Sequence, residues 1–385
     1  MTRAEGPADA QRNKVERASA GGAEWQDPEL LINHMKIERK VTLLIVCLVL
    51  LGGIVILLLR NTATMKSSFV MKHITPSPSA QIPNPLSIAA MRSRSYPGSD
   101  ITIEQTLPEG SNYHQYLTSY LSDGLKIFAL LTVPIGQKPT SGWPVILFNH
   151  GYITPETYQT FPSIGQYASY YPVFSQAGYI VFKPDYRGNG NSEGNPEGAY
   201  YSPAYAIDDL NALSSIKKYS LVDPKRIGIW GHSMGGNITL RDTVVDTKDI
   251  KAAVIWGGVV GSYTDLMYNW QRRVRYQPGP RELALRNTSR QTLLAKYKTP
   301  QENPQFWNSI DPTQFVKDIS TPIQLDVGGS DEEVPVGFSQ SLRDELQHAG
   351  KTVEYYEYPG DNHNISNNFT LAMQHSLEFF NRYLK

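Results

Sequence analysis

The stretch IGIWGHSMGGNITL, Ile227 to Leu240, sets an apolar run against a cluster of glycines with one hydroxyl residue, Ser233, at its centre. The run Ile227–Trp230 reads as a buried strand, and the residues after Ser233 read as the start of a helix. Between them, Gly231-His232-Ser233-Met234-Gly235 fits G-x-S-x-G. A chain that passes from strand to helix in so few residues must reverse sharply, with its backbone close to neighbouring elements. Gly231 and Gly235 remove the side chains that would collide there and leave the Ser233 hydroxyl exposed above the strand end. At the helix start, the Met234 N–H is placed to donate to an oxyanion. The competing reading is a glycine-rich turn whose serine has no role, and the rest of the chain decides between the two.

Around this junction, short apolar runs alternate with helix-length amphipathic stretches. PVILFNHG, GYIVFKPDYRG, KAAVIWGG, PIQLDVGG and TVEYYEYPG are strand-like without polar alternation, as expected of parallel strands covered on both faces. PVFSQAG, YAIDDLNALSSIKKY and VPVGFSQSLRDELQHAG lie between them as helix candidates. The series predicts an α/β fold with a mostly parallel central sheet flanked by helices. Ahead of it, ITIEQTL reads as a strand, and YHQYLTSYLSDGLKIFALLTVP reads as a hairpin turning at Asp123-Gly124, a pair that tolerates positive φ. One interval breaks the rhythm: 262–310 is long, polar and aromatic, and is expected to be a largely helical cap inserted into a domain spanning 99–385.

A nucleophilic serine needs a base, and the base needs an orienting carboxylate. Both are expected on loops after later strands, in the chain order Ser, acid, His. LDVGGSDEEVP places Asp331 just past one strand, and YEYPGDNHNIS places His363 just past the next. Loops at the C-terminal ends of parallel strands are where such sheets gather reacting groups. Asp326 falls within its strand and reads as a buried structural carboxylate, while Glu332 and Glu333 read as solvated helix-start charges. His232, beside the serine, is expected to point away and serve in packing or hydrogen bonding. His34, His73, His114, His348 and His375 are expected to have no role. After the strand VILF, NHGY lets the backbone turn at His150-Gly151 and present the Tyr152 N–H as a second oxyanion donor.

The chain has 385 residues with 36 Lys+Arg and 36 Asp+Glu, so no overall field recruits nucleic acid. The single cysteine, Cys47, rules out an internal disulfide. There is no zinc spacing of Cys and His, and neither a metal nor a cofactor is expected. GNGNSEG spaces its glycines one residue too long for a dinucleotide fingerprint and reads as a loop beside the site. Residues 1–40 read as a flexible tail. The uncharged run Val41–Leu59, at about 1.5 Å per residue, spans roughly the 30 Å hydrocarbon layer and predicts a transmembrane helix. Lys36, Arg39 and Lys40 on one side balance Arg60, Lys66 and Lys72 on the other. The closer basic pair precedes the run, which favours the large domain on the extracytoplasmic side. Residues 60–98, rich in Ser, Thr and Pro, are expected to be a linker.

With these residues in view, the chain resembles the α/β-hydrolase superfamily. Within it, the chain is similar to the catalytic domain of the prolyl oligopeptidase (S9) peptidases and to dienelactone-hydrolase-like esterases. NHGY, GYIVFKPDYRGNGNSEG, DPKRIGIWGHSMGG, STPIQLDVGGSDEEVP and YPGDNHN carry the resemblance, in family order from about Trp143 to the C-terminus. It implies Ser233 as nucleophile, Asp331 as acid, His363 as base, Tyr152 and Met234 as oxyanion donors, and Arg187 as a structural residue. The VGGSD lead into the acid loop departs from the commoner His-Gly. Only the linker and a few strands precede the matching region, without the family's β-propeller, so exclusion of large proteins would fall to the cap. The cap carries Arg272, Arg273, Arg275, Arg281, Arg286 and Arg290 beside Tyr263, Tyr268, Trp270 and Tyr276. These read either as a pocket roof for an anionic substrate or as a solvated face over an aromatic core. The expectation is a membrane-anchored serine hydrolase acting on small peptide or aminoacyl substrates. A carboxylesterase is the alternative, and a non-catalytic surface binding protein on the same fold is the third reading.

Overall fold

Each apolar run of the central series forms a strand of one sheet. In this computed structural model, which describes residues 84–274 and 280–385, the strands are β1 (Thr102–Leu107), β2 (Tyr113–Ser122), β3 (Leu125–Pro134), β4 (Trp143–Asn149), β5 (Ile180–Pro184), β6 (Val222–His232), β7 (Ile250–Trp256), β8 (Ile323–Gly328) and β9 (Val353–Tyr358). Their order across the sheet is β1-β2-β3-β5-β4-β6-β7-β8-β9. The pairs from β5 to β9 are parallel, and β1, β2 and β3 extend one edge antiparallel. β2 and β3 form the expected hairpin, with Asp123 at φ +53° and Gly124 at φ +80° in its turn.

The unbroken apolar runs follow from the sheet having two covered faces. Val145 and Leu147 of β4 and Ile227 and Ile229 of β6 enter one core, with α1 (Ile88–Ser93), α3 (Ala204–Ile216), α4 (Met234–Val245) and α7 (Val336–His348). The alternate residues Ile146, Phe148 and Trp230 enter a second core with α2 (Tyr171–Gln176) and α8 (Phe369–Leu384). A strand has period two, so burial on both faces leaves no polar position to break the run. This is the α/β-hydrolase fold. The interval 262–310 is largely helical where described, with a π-helical turn at Asp265–Asn269, α5 (Pro280–Tyr297) and α6 (Pro304–Ile310). Tyr263, Leu293, Phe306, Trp307 and Ile310 give it a small core of its own.

The tail 1–40 and the candidate span 41–59 lie outside the described residues. Among the described residues, no helix is long and apolar enough to cross a membrane. The linker expected over 60–98 needs correction at its end. The Ser87 hydroxyl accepts from the Ala90 N–H at 3.1 Å and caps α1, whose Ile88 and Met91 are buried in the first core. Gly98 and Ser99 donate their N–H groups to Asn211 and Ser215 of α3. Two apolar residues three apart, flanked by prolines and serines, are too short a signal to read as a helix. Ile88→Ala is expected to destabilise the protein by about 2–4 kcal/mol, as a core position does, whereas a linker position would shift stability by less than about 0.5 kcal/mol. Urea unfolding measures the difference.

Candidate active site

Ser233 lies where β6 ends and α4 begins, with φ +57° and ψ −119°. A positive φ in a residue with a Cβ is strained and persists only where the surroundings impose it. Here the Ser233 N–H donates to the Trp256 carbonyl at 2.9 Å, and the Ser233 carbonyl accepts from the Gly236 and Val259 N–H groups at 3.0 Å each. The elbow is thereby tied to the end of β7. A Cβ at Gly235 would run into the Asn149 carbonyl, and one at Gly231 into Thr239 and the Gly235 carbonyl. Both glycines are thus required by close approach. A Cβ at Gly151 would lie 3.0 Å from that of Ser233, so the NHGY loop rests against the serine. Met234 opens α4, and Tyr152 lines the same cavity as Ser233.

The loops after β8 and β9 bring Asp331 and His363 together. His363 Nδ1 lies 2.8 Å from Asp331 Oδ2, and both residues are buried. Asp331 Oδ1 accepts from the N–H groups of Glu333 and Val334, each at 2.9 Å. The His363 loop is shaped by Asp361, whose carboxylate accepts from the N–H groups of Asn362, Asn367 and Asn368. Gly257, at φ +49°, gives the imidazole room: a Cβ there would lie 3.1 Å from Nδ1. Trp256 and Gly257 therefore receive the Ser233 backbone and the His363 ring side by side. His363 Nε2 is buried with no hydrogen-bond partner among the described residues, and its ring lines the cavity that holds Ser233.

The competing residues are placed differently from Asp331 and His363. Asp326 Oδ2 accepts from Gln324 at 2.6 Å, and Oδ1 lies 2.7 Å from the Tyr358 hydroxyl, which is 2.9 Å from His375 Nδ1. Burial raises the Asp326 carboxyl to about 7, outweighing those hydrogen bonds. Glu332 accepts from the His363 N–H at 3.2 Å, and Glu333 lines the cavity. His232 is buried, and burial together with the neighbouring His363 holds it down to about 3, neutral at ordinary pH. His114 is paired with Glu109 at the surface, and His375 stacks on Tyr356. Arg187 makes a forked pair with buried Asp208, a structural contact.

The cavity has a volume of about 380 Å³ and carries Glu197, Tyr200, Tyr201, Arg272 and Glu333 on its walls. Of the described cap arginines, Arg272 lines it, stacked 4.3 Å over Trp270. Arg273 instead donates to the carbonyls of Ser330 and Asp331 at 2.9 and 2.7 Å. Arg290 is exposed, while Arg275 and Tyr276 lie outside the described residues. The Arg273 clamp and the Tyr167 hydroxyl, which accepts from the Gly151 N–H at 2.7 Å, carry no motif in the sequence. Among the described residues, no cluster of His, Cys, Asp and Glu is arranged to hold a metal.

The sequence profile of the prolyl oligopeptidase family matches residues 166–385. The uncharacterized peptidase YtmA of Bacillus subtilis is 27% identical over 243 residues, which cover 63% of this chain and 83% of that protein. Among solved structures, acetyl xylan esterase 1 from Thermoanaerobacterium superposes with a TM-score of 0.56 at 17% identity, over 77% of this chain and 91% of that one. The acylaminoacyl peptidase of Pyrococcus horikoshii gives 0.55 at 21% identity, over 71% of this chain and 42% of that one. The two structural likenesses concern the fold. The chain spans less than half of the archaeal peptidase.

Two outcomes follow from this geometry. Gly235→Ala is expected to push the end of β4 off the elbow and lower kcat/KM about 100-fold. Gly337→Ala, at an open helical position, should instead add about 0.5–1 kcal/mol of stability with activity unchanged. Asp326 has a folded-state value of about 7 against an ordinary 3.8, so the folded state binds the extra proton between those values. Its contribution is full below about pH 4 and is lost as pH rises to about 7. Asp326→Asn is therefore expected to have the higher Tm at pH 8, with the gap closing toward pH 4 in thermal scans.

Proposed function

The chain belongs to the prolyl oligopeptidase family, and on that premise we propose that it is a serine hydrolase in which Ser233, Asp331 and His363 act as one unit on a carbonyl substrate. The observation that carries this reading is the buried His363–Asp331 pair, at 2.8 Å, on loops facing the cavity where Ser233 sits on its elbow. Asp331 accepts a hydrogen bond from the His363 Nδ1–H, which keeps that proton on Nδ1 and leaves Nε2 as the base. Ser233 Oγ attacks the carbonyl carbon while Nε2 takes its proton, and the carbonyl π pair moves onto oxygen. The N–H groups of Met234 and Tyr152 receive that oxyanion, each contributing about 3 kcal/mol. His363 returns the proton to the departing amine or alcohol, and a water molecule repeats the sequence on the acyl-enzyme.

A cavity of about 380 Å³ with tyrosine walls and charges of both signs suits a short peptide or aminoacyl group. The peptidase reading is placed first because the chain spans 83% of YtmA, a protein named as a peptidase. Carboxylesterase is the second reading, since an ester would use the same reacting groups. The uncharged run Val41–Leu59 supports membrane attachment, with the hydrolase on the extracytoplasmic side, on sequence grounds.

A fluorophosphonate probe is expected to label the wild-type protein and not Ser233→Ala, whose kcat/KM should fall at least about 1,000-fold. Equal labelling of both, or none of either, leaves the binding-protein reading. Turnover of aminoacyl p-nitroanilides supports the peptidase. Turnover confined to p-nitrophenyl acyl esters assigns the esterase.

A further inference from the structure

Tyr167 and His232 form a polar link between the two loops that flank Ser233. The Gly151 N–H donates to the Tyr167 hydroxyl at 2.7 Å, that hydroxyl lies 2.7 Å from His232 Nδ1, and His232 Nε2 lies 3.2 Å from the His363 carbonyl. A backbone N–H can only donate and a carbonyl can only accept, so the two ends fix the direction of every bond between them. Tyr167 accepts from Gly151 and gives its own proton to Nδ1. His232 carries its proton on Nε2 and gives it to the His363 carbonyl. The other neutral tautomer would set a bare ring nitrogen against a carbonyl oxygen, and the relay has one self-consistent arrangement.

The chain accepts strain to place that phenol. Gly165, Gln166 and Tyr167 stand in succession at φ +67°, +41° and +74°, although two of the three carry a Cβ. The Gln166 side chain pins this turn, accepting from the Gln159 N–H and donating to the Thr157 carbonyl at 2.9 Å each. A Cβ at Gly151 would collide with the Tyr167 hydroxyl, so the contact also sets a demand on the NHGY loop. The His232 and His363 rings are 4.6 Å apart between centroids. A charged His232 would oppose proton uptake by its neighbour, whereas burial and the nearby His363 keep it neutral.

We infer that Tyr167 and His232 are positioning residues, which hold the oxyanion loop at Gly151–Tyr152 in register with the base loop at His363. This rests on the hydrolase reading above. Gly151 spends its N–H on Tyr167, and the oxyanion donor assigned above to this loop is the Tyr152 N–H. Neither positioning side chain exchanges a proton with substrate. Their effect belongs to the transition state, where a displacement of about 1 Å costs about 100-fold in rate.

The test compares Tyr167→Phe, His232→Leu and His232→Gln with wild type on p-nitrophenyl acetate, and measures inhibition by an aryl trifluoromethyl ketone, which forms a hemiketal oxyanion on the serine. Tyr167→Phe and His232→Leu are expected to lower kcat at least about tenfold with KM within about threefold, and to weaken the ketone by the same factor as kcat/KM. His232→Gln, which keeps a donor and an acceptor, should recover part of the loss. A Tyr167→Phe enzyme with wild-type kcat and ketone affinity overturns the relay, and so does a loss confined to KM. If Tyr167→Phe does not fold, equal losses in the Gln and Leu variants overturn it. Ser233→Ala is the control that separates the two readings: retained turnover there sinks the hydrolase reading, while a dead Ser233→Ala beside an unaffected Tyr167→Phe sinks the relay alone.

Discussion

The backbone of Ser233 is the constraint on which the rest of the site depends. A residue with a side chain is held at φ +57°, a conformation that costs about 1–3 kcal/mol. Two backbone hydrogen bonds to β7 and the turn after it, through Trp256 and Val259, and a third from Gly236 in the first turn of α4 hold it there. Once that dihedral is set, α4 must leave β6 at a sharp angle, and its first turn must press on the end of β4. Only glycine can stand at 235 under that pressure, because the Asn149 carbonyl occupies the place of a side chain. The contact also brings the NHGY loop to the serine. The strain at one residue thus determines the approach of two strands, one helix and one loop.

Buried polar groups surround this elbow, and their partners decide what each can do. Asp331 is met by two backbone N–H groups and an imidazole, donors that cannot move away without unfolding the loop. Asp326, within β8, meets a phenol and an amide side chain, and burial drives it toward its neutral form against those hydrogen bonds. The two carboxyls are five residues apart in the sequence, yet only one is suited to orient an imidazolium. Residue type alone does not separate them; their surroundings do. His232 and His363 divide in the same way: one imidazole is bonded at both nitrogens, the other at Nδ1 with Nε2 in the cavity wall.

Those contrasts explain what was legible in the sequence. The parallel strands were readable because both faces of the sheet are covered, which turns period-two burial into unbroken apolar runs. Asp123-Gly124 was readable because the hairpin turn demands positive φ at both residues. Asp331 and His363 could be placed because the ends of parallel strands converge on one edge. The short helix at Ile88–Ser93 was missed because its core contact rests on two side chains. Tyr167 was missed because its position depends on three successive left-handed residues, of which Gly165 alone carries a sequence signal. Arg273 was one arginine among six in the cap, and nothing in its neighbours distinguishes a clamp from a solvated charge.

The clamp changes how the cap relates to the chemistry. Arg273 holds the carbonyls of Ser330 and Asp331, its own N–H donates to the Glu332 carbonyl at 2.8 Å, and the Trp270 indole N–H donates to the Glu333 carbonyl at 2.8 Å. The four residues of the acid loop are thus bonded through their carbonyls to one short cap segment. Glu332 returns the contact by accepting the His363 N–H. Arg272, the next residue in that segment, faces the cavity. The same few residues therefore line the cavity and support the carboxylate that bonds His363. A cap that shifted to admit a larger ligand would have to carry the acid loop with it or break these bonds. The cap segment that puts Arg272 in the cavity wall is bonded to the loop that sets Asp331 against His363.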